Sequence, residues 1–393
     1  MYNKKYIIKN LAPWMMDELL TFSKLTKYEI IFLRNQDEFY DTDIKNLIKN
    51  GVRISYPQKS FGNLFQKIKI SIVFIFNNIG KFGLDYNGVI GFKSVCWFLK
   101  LDISKFPENS NIHAQFATQA AILSLLVKKY YNNKPRFSFT FHAYDIYYNN
   151  KWFAYLVNNC YKAFSISEFN IKYVFNKYIK SDKIVLSRLG VNRNLITEIE
   201  SKKRSNSDIF VVGLLSWFVE KKGIIYLLNA FLELKKQGYS EIKLTLAGDG
   251  PLKNEFVDFV MSNDLSESIS YIGKIKGKQK EEFFDSLNAF VLPAISLKND
   301  QDGIPVVLME AISYGLPIIS TNVSGIPEIC IDEYNGYLIP ERNSKALFDS
   351  ILKLNNSKEI RKQFSKNSIK MSLKYDININ SKRKIKELKW NNK

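Results

Sequence analysis

Histidine is scarce in this chain: His113 and His142 are the two imidazoles among 393 residues. The supply of acid–base residues is therefore thin, and chemistry that needs several of them is disfavoured. Cysteine is scarce too. Cys96, Cys160 and Cys330 lie far apart and show no metal-ligand spacing. They exclude a disulfide framework and read as reduced thiols of a cytosolic protein. Long apolar runs are missing. Ile70 to Gly80 holds 11 uncharged residues between Lys69 and Lys81, against the roughly 20 that a spanning helix needs. The start, "MYNKKYIIKNLAPW", is basic but lacks the apolar stretch and small-residue cleavage site of a signal peptide. Acidic residues are outnumbered, 38 to 57, for a net charge of +19. Most of the excess falls in residues 1–200, with 28 Lys and Arg against 15 Asp and Glu. Nucleic acid, an acidic substrate and an anionic membrane surface are the partner classes such an excess admits. Scattered, solvated lysines need no partner at all. The basic residues form no groove-entering motif, so nucleic acid is not expected.

What is present is core-forming material, 46% hydrophobic, in a chain long enough for two domains. The second half alternates strand and helix. "IFVVGLL" is a β-rich run. Ile224, Leu227, Leu228, Phe231 and Leu234 then recur at helical spacing up to Gly238. "IKLTLAG", "ISYIG", "AFVLPA" and "LPIIST" read as further strands, separated by helical "PLKNEFVDFVM", "KEEFFDSLN" and "PVVLMEAISYG". Pro305 falls in the first turn of the last of these. Such alternation predicts a parallel sheet with helices on both faces. The first half is less regular, but "KYIIKN", "YEIIFLR", "GVRISY" and "RFSFTFHAYDI" look like strands. The predicted fold is α/β, two Rossmann-like doubly wound domains. The first covers residues 1–192 and the second 208–372, with a helix at about 375–393 expected to pack back on the first. Ligands of such domains bind at the carboxyl ends of the strands, in the cleft between the two.

Several residues could carry chemistry. His142 ends the strand in "FTFHAYDI", and Asp145 follows in the same turn. The ring reads either as a packed imidazole or as one facing a ligand crevice. Lys221 and Lys222 in "EKKG" flank a helix start, where backbone N–H groups and the dipole favour an anion. "AGDGP" makes Gly248 and Asp249 a tight turn after a strand. In "DGIPVVLMEAISYG", Asp302 and Gly303 precede a helix and Glu310 lies inside it. A carboxylate there either accepts from paired sugar hydroxyls or caps a helix and pairs with a lysine. The "DTD" at Asp41–Asp43, in a charged loop, mimics a metal-binding aspartate pair but has no supporting ligand cluster, so no metal site is expected.

Taken together, "IHAQFAT", "FSFTFHAYDI", "FSISEFN", "EKKG", "AGDGP", "FVLPA" and Asp302-x7-Glu310 resemble the retaining glycosyltransferases of the GT-B fold known as family 4. The nearest likeness is to the exopolysaccharide branch that includes colanic acid. The likeness covers residues 110–340. It implies that Glu310 binds ribose hydroxyls of the donor nucleotide and that Asp302 lies by the donor sugar. Gly303 and Ile304 are implied as the loop whose backbone approaches sugar and diphosphate, with Gly248 and Asp249 also on the donor side. Lys222 matches the lysine that neutralises the leaving diphosphate. His142 matches a histidine at the junction of donor and acceptor, with Asp145 and His113 on the acceptor side.

The implied reaction moves a hexose from a nucleotide-diphosphate sugar to a saccharide, lipid-linked acceptor with retention, in surface polysaccharide synthesis. No cofactor or metal is implied. There are departures. The arginine usual before the lysine is replaced by leucine or serine, so Lys221 is its candidate substitute. Asp302 is one methylene short of the usual glutamate. Gln115 stands where a second histidine is common. A nucleotide-sugar epimerase and an inactive nucleotide-sugar-binding subunit are the alternatives. The expected location is the cytoplasm, with "NLFQKIKISIVFIF" and "KSVCWFLK" read either as core helices or as amphipathic patches on a membrane surface.

Overall fold

The structure, a computed structural model, describes residues 4–9, 11–33, 41–56, 62–192, 209–298 and 300–390. The chain divides into two units, Met1–Leu189 with Ile377–Lys393, and Gly190–Asp376. From 193 to 207 the predicted boundary run lies outside the described residues.

The first unit is built on seven parallel strands: β1 (Lys4–Ile8), β2 (Glu29–Phe32), β3 (Arg53–Ser55), β4 (Asn111–Gln115), β5 (Arg136–Phe141), β6 (Lys162–Ser165) and β7 (Ile184–Leu186). Their order is β3-β2-β1-β4-β5-β6-β7. Covered on both faces, such strands read as nearly continuous apolar runs. Alternation still sorts them: Ile7 joins a core on one face, Tyr6 and Ile8 another on the opposite face.

The second core is closed by the helix Pro13–Leu25 and by the returning helix Ile377–Leu388. Trp390 is sealed among Tyr6, Phe22 and Tyr28. Charges are buried there too. Lys384 on the returning helix meets Glu18 at 2.6 Å, and the Tyr6 hydroxyl donates to the same carboxylate at 2.9 Å. Lys5 on β1 pairs with Glu29 opposite it on β2 at 2.5 Å. Each buried ion has its partner, which is the condition for tolerating it.

The "DTD" segment is not a loop. Asp41 and Asp43 occupy the first turn of the helix Asp41–Lys49, where carboxylates suit the positive end of the dipole.

The second unit has six parallel strands: β8 (Phe210–Trp217), β9 (Ile242–Asp249), β10 (Ile269–Tyr271), β11 (Ala289–Leu292), β12 (Ile318–Thr321) and β13 (Gly336–Ile339). The order is β10-β9-β8-β11-β12-β13. The helix Ile224–Lys236 buries Ile224, Leu227, Leu228, Phe231 and Leu234 against this sheet, the periodic residues of the sequence.

In each sheet the direction of strand addition reverses once. The reversals fall between β1 and β4 and between β8 and β11. Loops leaving the carboxyl ends at such a reversal diverge to opposite faces and leave a crevice.

Candidate functional site

At the β8/β11 reversal two loops meet. After β8 the chain makes a short turn, Glu220–Lys222, closed by Gly223 at φ +62°. Only glycine fits there: a Cβ would stand 1.9 Å from the Pro293 carbonyl. The Lys221 carbonyl accepts from Ile295 N–H at 2.8 Å, tying this turn to the loop after β11. Lys222 Nζ bonds Asp302 Oδ2 at 2.5 Å. Lys221 bonds Asp300 at 2.8 Å and lies 3.7 Å from Asp302. Burial opposes ionisation of Asp302, but the two ammonium groups outweigh it and hold its carboxyl below the usual range. The sequence thus brings Lys221, Lys222 and Asp302 together.

Ile304 is buried, and the helix starts one residue later than expected. Pro305 caps it from outside, with φ −63° and ψ 127°, and Val306–Ser313 form the helix. Glu310 does not join the Lys222 cluster. Its carboxylate pairs with Lys280 from the helix Lys278–Ser286. Both readings of Glu310 thus remain compatible with the geometry: it has a lysine partner, and its side chain keeps 18% of its surface exposed.

The Gly248–Asp249 turn closes β9. Gly248, at φ +133°, sits so close to β8 that a Cβ would meet the Ser216 carbonyl at 1.9 Å. Asp249 Oδ1 accepts from Gly250 N–H at 2.9 Å, so this carboxylate shapes the turn. Ser216 Oγ, near the end of β8, is buried without a hydrogen-bond partner among the described residues. A buried hydroxyl in this position keeps its hydrogen-bonding capacity unused within the protein. In the sequence Ser216 stands out only as a candidate replacement for an arginine.

At the β1/β4 reversal of the first unit, His142 follows β5. Its ring lies between Trp14 and Phe116, with both centroids at 4.7 Å. Phe116, the residue after β4, sits at φ +72°, a strained conformation for a bulky side chain and of the kind that clusters at functional sites. Burial, and then the Lys384 charge, push the His142 imidazole down to about 3, so the ring is neutral near pH 7. Its Nε2 has no partner among the described residues.

Asp145 Oδ2 accepts from His142 N–H at 2.8 Å, while Oδ1 has no partner of good geometry among the described residues. Burial raises the Asp145 carboxyl to about 7, against the backbone N–H groups of His142 and Ala117. Gln115 at the end of β4 has both amide atoms orphaned, and Asn170 its Nδ2. In the sequence Gln115 stands out only as a replacement for a second histidine, and Asn170 carries no signal of its own. Gln115, His142 and Asp145 follow or end β4 and β5, and Asn170 lies in the helix Glu168–Lys177 after β6; each carries a buried polar atom without a partner among the described residues.

His113 is placed otherwise. It is fully buried, 3.0 Å from Thr140 Oγ1, and boxed by Tyr6, Phe164 and Trp390. Its surroundings are those of a core residue.

The Asp145 shift gives a stability test. Below the unfolded value near 3.8 both states hold the proton. As pH rises toward 7 the unfolded chain releases it and the folded chain keeps it, so stability falls across that window. Asp145→Asn keeps an acceptor for His142 N–H and removes the titration. Relative to wild type it is expected to gain on the order of 2–4 kcal/mol between about pH 4 and pH 7, then level off. Urea unfolding across that range checks it. A pH-independent difference would contradict the assignment.

The family model described as glycosyl transferases group 1 matches residues 196–371. A putative colanic acid biosynthesis glycosyltransferase, WcaL of Salmonella typhimurium, is 32% identical over 167 residues, 42% of this chain and 40% of that one. The amylovoran biosynthesis glycosyltransferase AmsK of Erwinia amylovora is 33% identical over 175 residues, 44% of this chain and 42% of that one. The match therefore spans less than half the length of these relatives. Anabaena HepE, crystallised with UDP, superposes with a TM-score of 0.72 at 13% identity, over 98% of this chain and 99% of that one. That likeness carries the fold, GT-B.

Proposed function

From a chain that resembles the group 1 glycosyl transferases, we propose a retaining glycosyltransferase that moves a hexose from a nucleotide-diphosphate sugar to a lipid-linked saccharide, in synthesis of a surface polysaccharide. The observation that carries this reading is the Lys222–Asp302 pair at the β8/β11 reversal. Glycosyl transfer breaks an anomeric C–O bond and leaves a diphosphate, so the main help is positive charge where that anion develops. Lys222 supplies it, seconded by Lys221 in place of an arginine. Asp302 holds Lys222 until the diphosphate competes for it, and then faces the sugar hydroxyls. Gly303 and Ile304 bring backbone to the same place. Glu310 takes the ribose hydroxyls. The relatives named for colanic acid and amylovoran synthesis support the product class. The UDP of the Anabaena structure supports the donor class.

His142, neutral and with Nε2 unpaired, acts as a hydrogen-bonding group toward a sugar hydroxyl. It does not serve as a proton donor near pH 7. Asp145, Gln115 and Asn170 offer further polar atoms to the acceptor.

A thermal-shift screen of nucleotide sugars tests the donor, because a ligand of the folded state raises the melting point. A shift with one or more of them, followed by nucleotide release that requires an added saccharide, is the expected result. Isomerised donor without acceptor would replace this reading by an epimerase, and binding without turnover by an inactive subunit. No shift with any nucleotide sugar would sink it.

A further inference from the structure

The helix Leu64–Phe76 is amphipathic in reverse. Its buried residues are Lys67, Ser71 and Phe74, continued by Asn78. Lys67 reaches inward and donates to the Leu101 carbonyl at 2.7 Å. The opposite side, where a surface helix normally carries charge, is apolar. Phe65, Ile68, Ile72 and Phe76 recur at intervals of three and four residues and are 84%, 40%, 61% and 77% exposed. Ile79 in the next turn is exposed as well, at 68%. Isolated exposed apolar residues need no explanation, but an aligned stripe of them marks a surface that meets something.

We infer that this stripe beds into the surface of a bilayer carrying anionic headgroups, with the helix lying in the plane of the membrane.

Three observations choose this occupant. The helix has 13 residues, too few to cross a bilayer but enough for an in-plane segment. The stripe carries its own cations: exposed Lys69 lies within it, and exposed Lys93 follows Phe92 on the helix Tyr86–Lys100 packed beside it. Lysines at that level extend to phosphate while their stems stay among apolar groups. A second copy of the chain fits less well. Each copy has a net charge of +19, so a self-contact would oppose like-charged faces. Anionic lipid supplies the complement instead.

None of these residues belongs to the proposed donor or acceptor sets, so the inference stands apart from the sugar-transfer reading. The test is co-sedimentation of the full chain with phosphatidylcholine vesicles, with and without phosphatidylglycerol. The probe variant is Phe65→Ser combined with Phe76→Ser. Both side chains are exposed, so its melting temperature is expected to match wild type, as is any shift with a nucleotide sugar.

Wild type is expected to sediment with the anionic vesicles and the variant to partition at least about tenfold less. Failure of wild type to sediment, undiminished binding by the variant, or equal partition into neutral vesicles would overturn the inference. A concentration-dependent dimer, lost in the variant and without vesicle binding, would assign the stripe to self-association instead.

Discussion

Glu310→Ala is expected to weaken nucleotide-sugar binding by a factor of about 100 or more and to leave the fold intact. A carboxylate that accepts from two neighbouring hydroxyls forms two charge-assisted hydrogen bonds, each worth roughly 1.5–3 kcal/mol. Losing both amounts to about two to four decades of affinity. The structural cost is small by comparison. The partner Lys280 keeps a third of its side chain exposed and can return to water, and pairs of that kind contribute about 0–1 kcal/mol. Glu310→Gln, which keeps the shape and loses the charge, should fall between the two. Isothermal titration with the donor found by thermal shift, beside a melting curve of each variant, separates binding from stability. Unchanged affinity in the alanine variant would mean that the carboxylate serves the fold and not the donor.

The second large effect is expected at Lys222. Lys222→Met should lower turnover by about 100-fold to 1000-fold, with a smaller loss of donor affinity, because in the proposed reaction the charge is needed most as the diphosphate leaves. It also changes stability in a defined direction. In wild type the depressed Asp302 carboxyl contributes stability that is present above its unfolded value and lost as pH falls through the folded one. Without Lys222 the carboxylate keeps Lys221, at 3.7 Å, and burial then raises its pKa. The variant should lose about 1–3 kcal/mol at neutral pH and much less in acid, where Asp302 is protonated. A turnover loss with unchanged pH dependence of stability would detach Lys222 from Asp302. Unchanged turnover would remove Lys222 from the reaction.

How much of this was legible beforehand depends on how local each signal is. The helix Ile224–Lys236 was readable because all five of its periodic residues are buried. The turn at Gly223 was readable because positive φ beside a carbonyl leaves only glycine. The Glu310 partner was not. Lys280 stands thirty residues away on another helix, and no spacing rule links two helices that meet only in the folded sheet. His142 was marked by its place at a strand end. That it would lie between Trp14 and Phe116 depends on three strands pairing in one order. Periodicity also misleads when it assumes that charge faces out. The helix Leu64–Phe76 turns Lys67 inward because the carbonyls of Leu99 and Leu101 are there to receive it. "DTD" looked like a loop because its charges obscured the helix dipole they stabilise.

The return of Ile377–Trp390 to the first unit has a consequence for how the protein is made. Tyr6, Phe22 and Tyr28 emerge from the ribosome early, but the residue that covers them is Trp390. Glu18 must likewise wait for Lys384. A nascent chain therefore holds an uncovered aromatic cluster and an unpaired carboxylate while the whole second unit is translated. A nonsense codon or proteolytic cut between residues 376 and 390 removes Trp390, and with it a cover of the domain that was synthesised first.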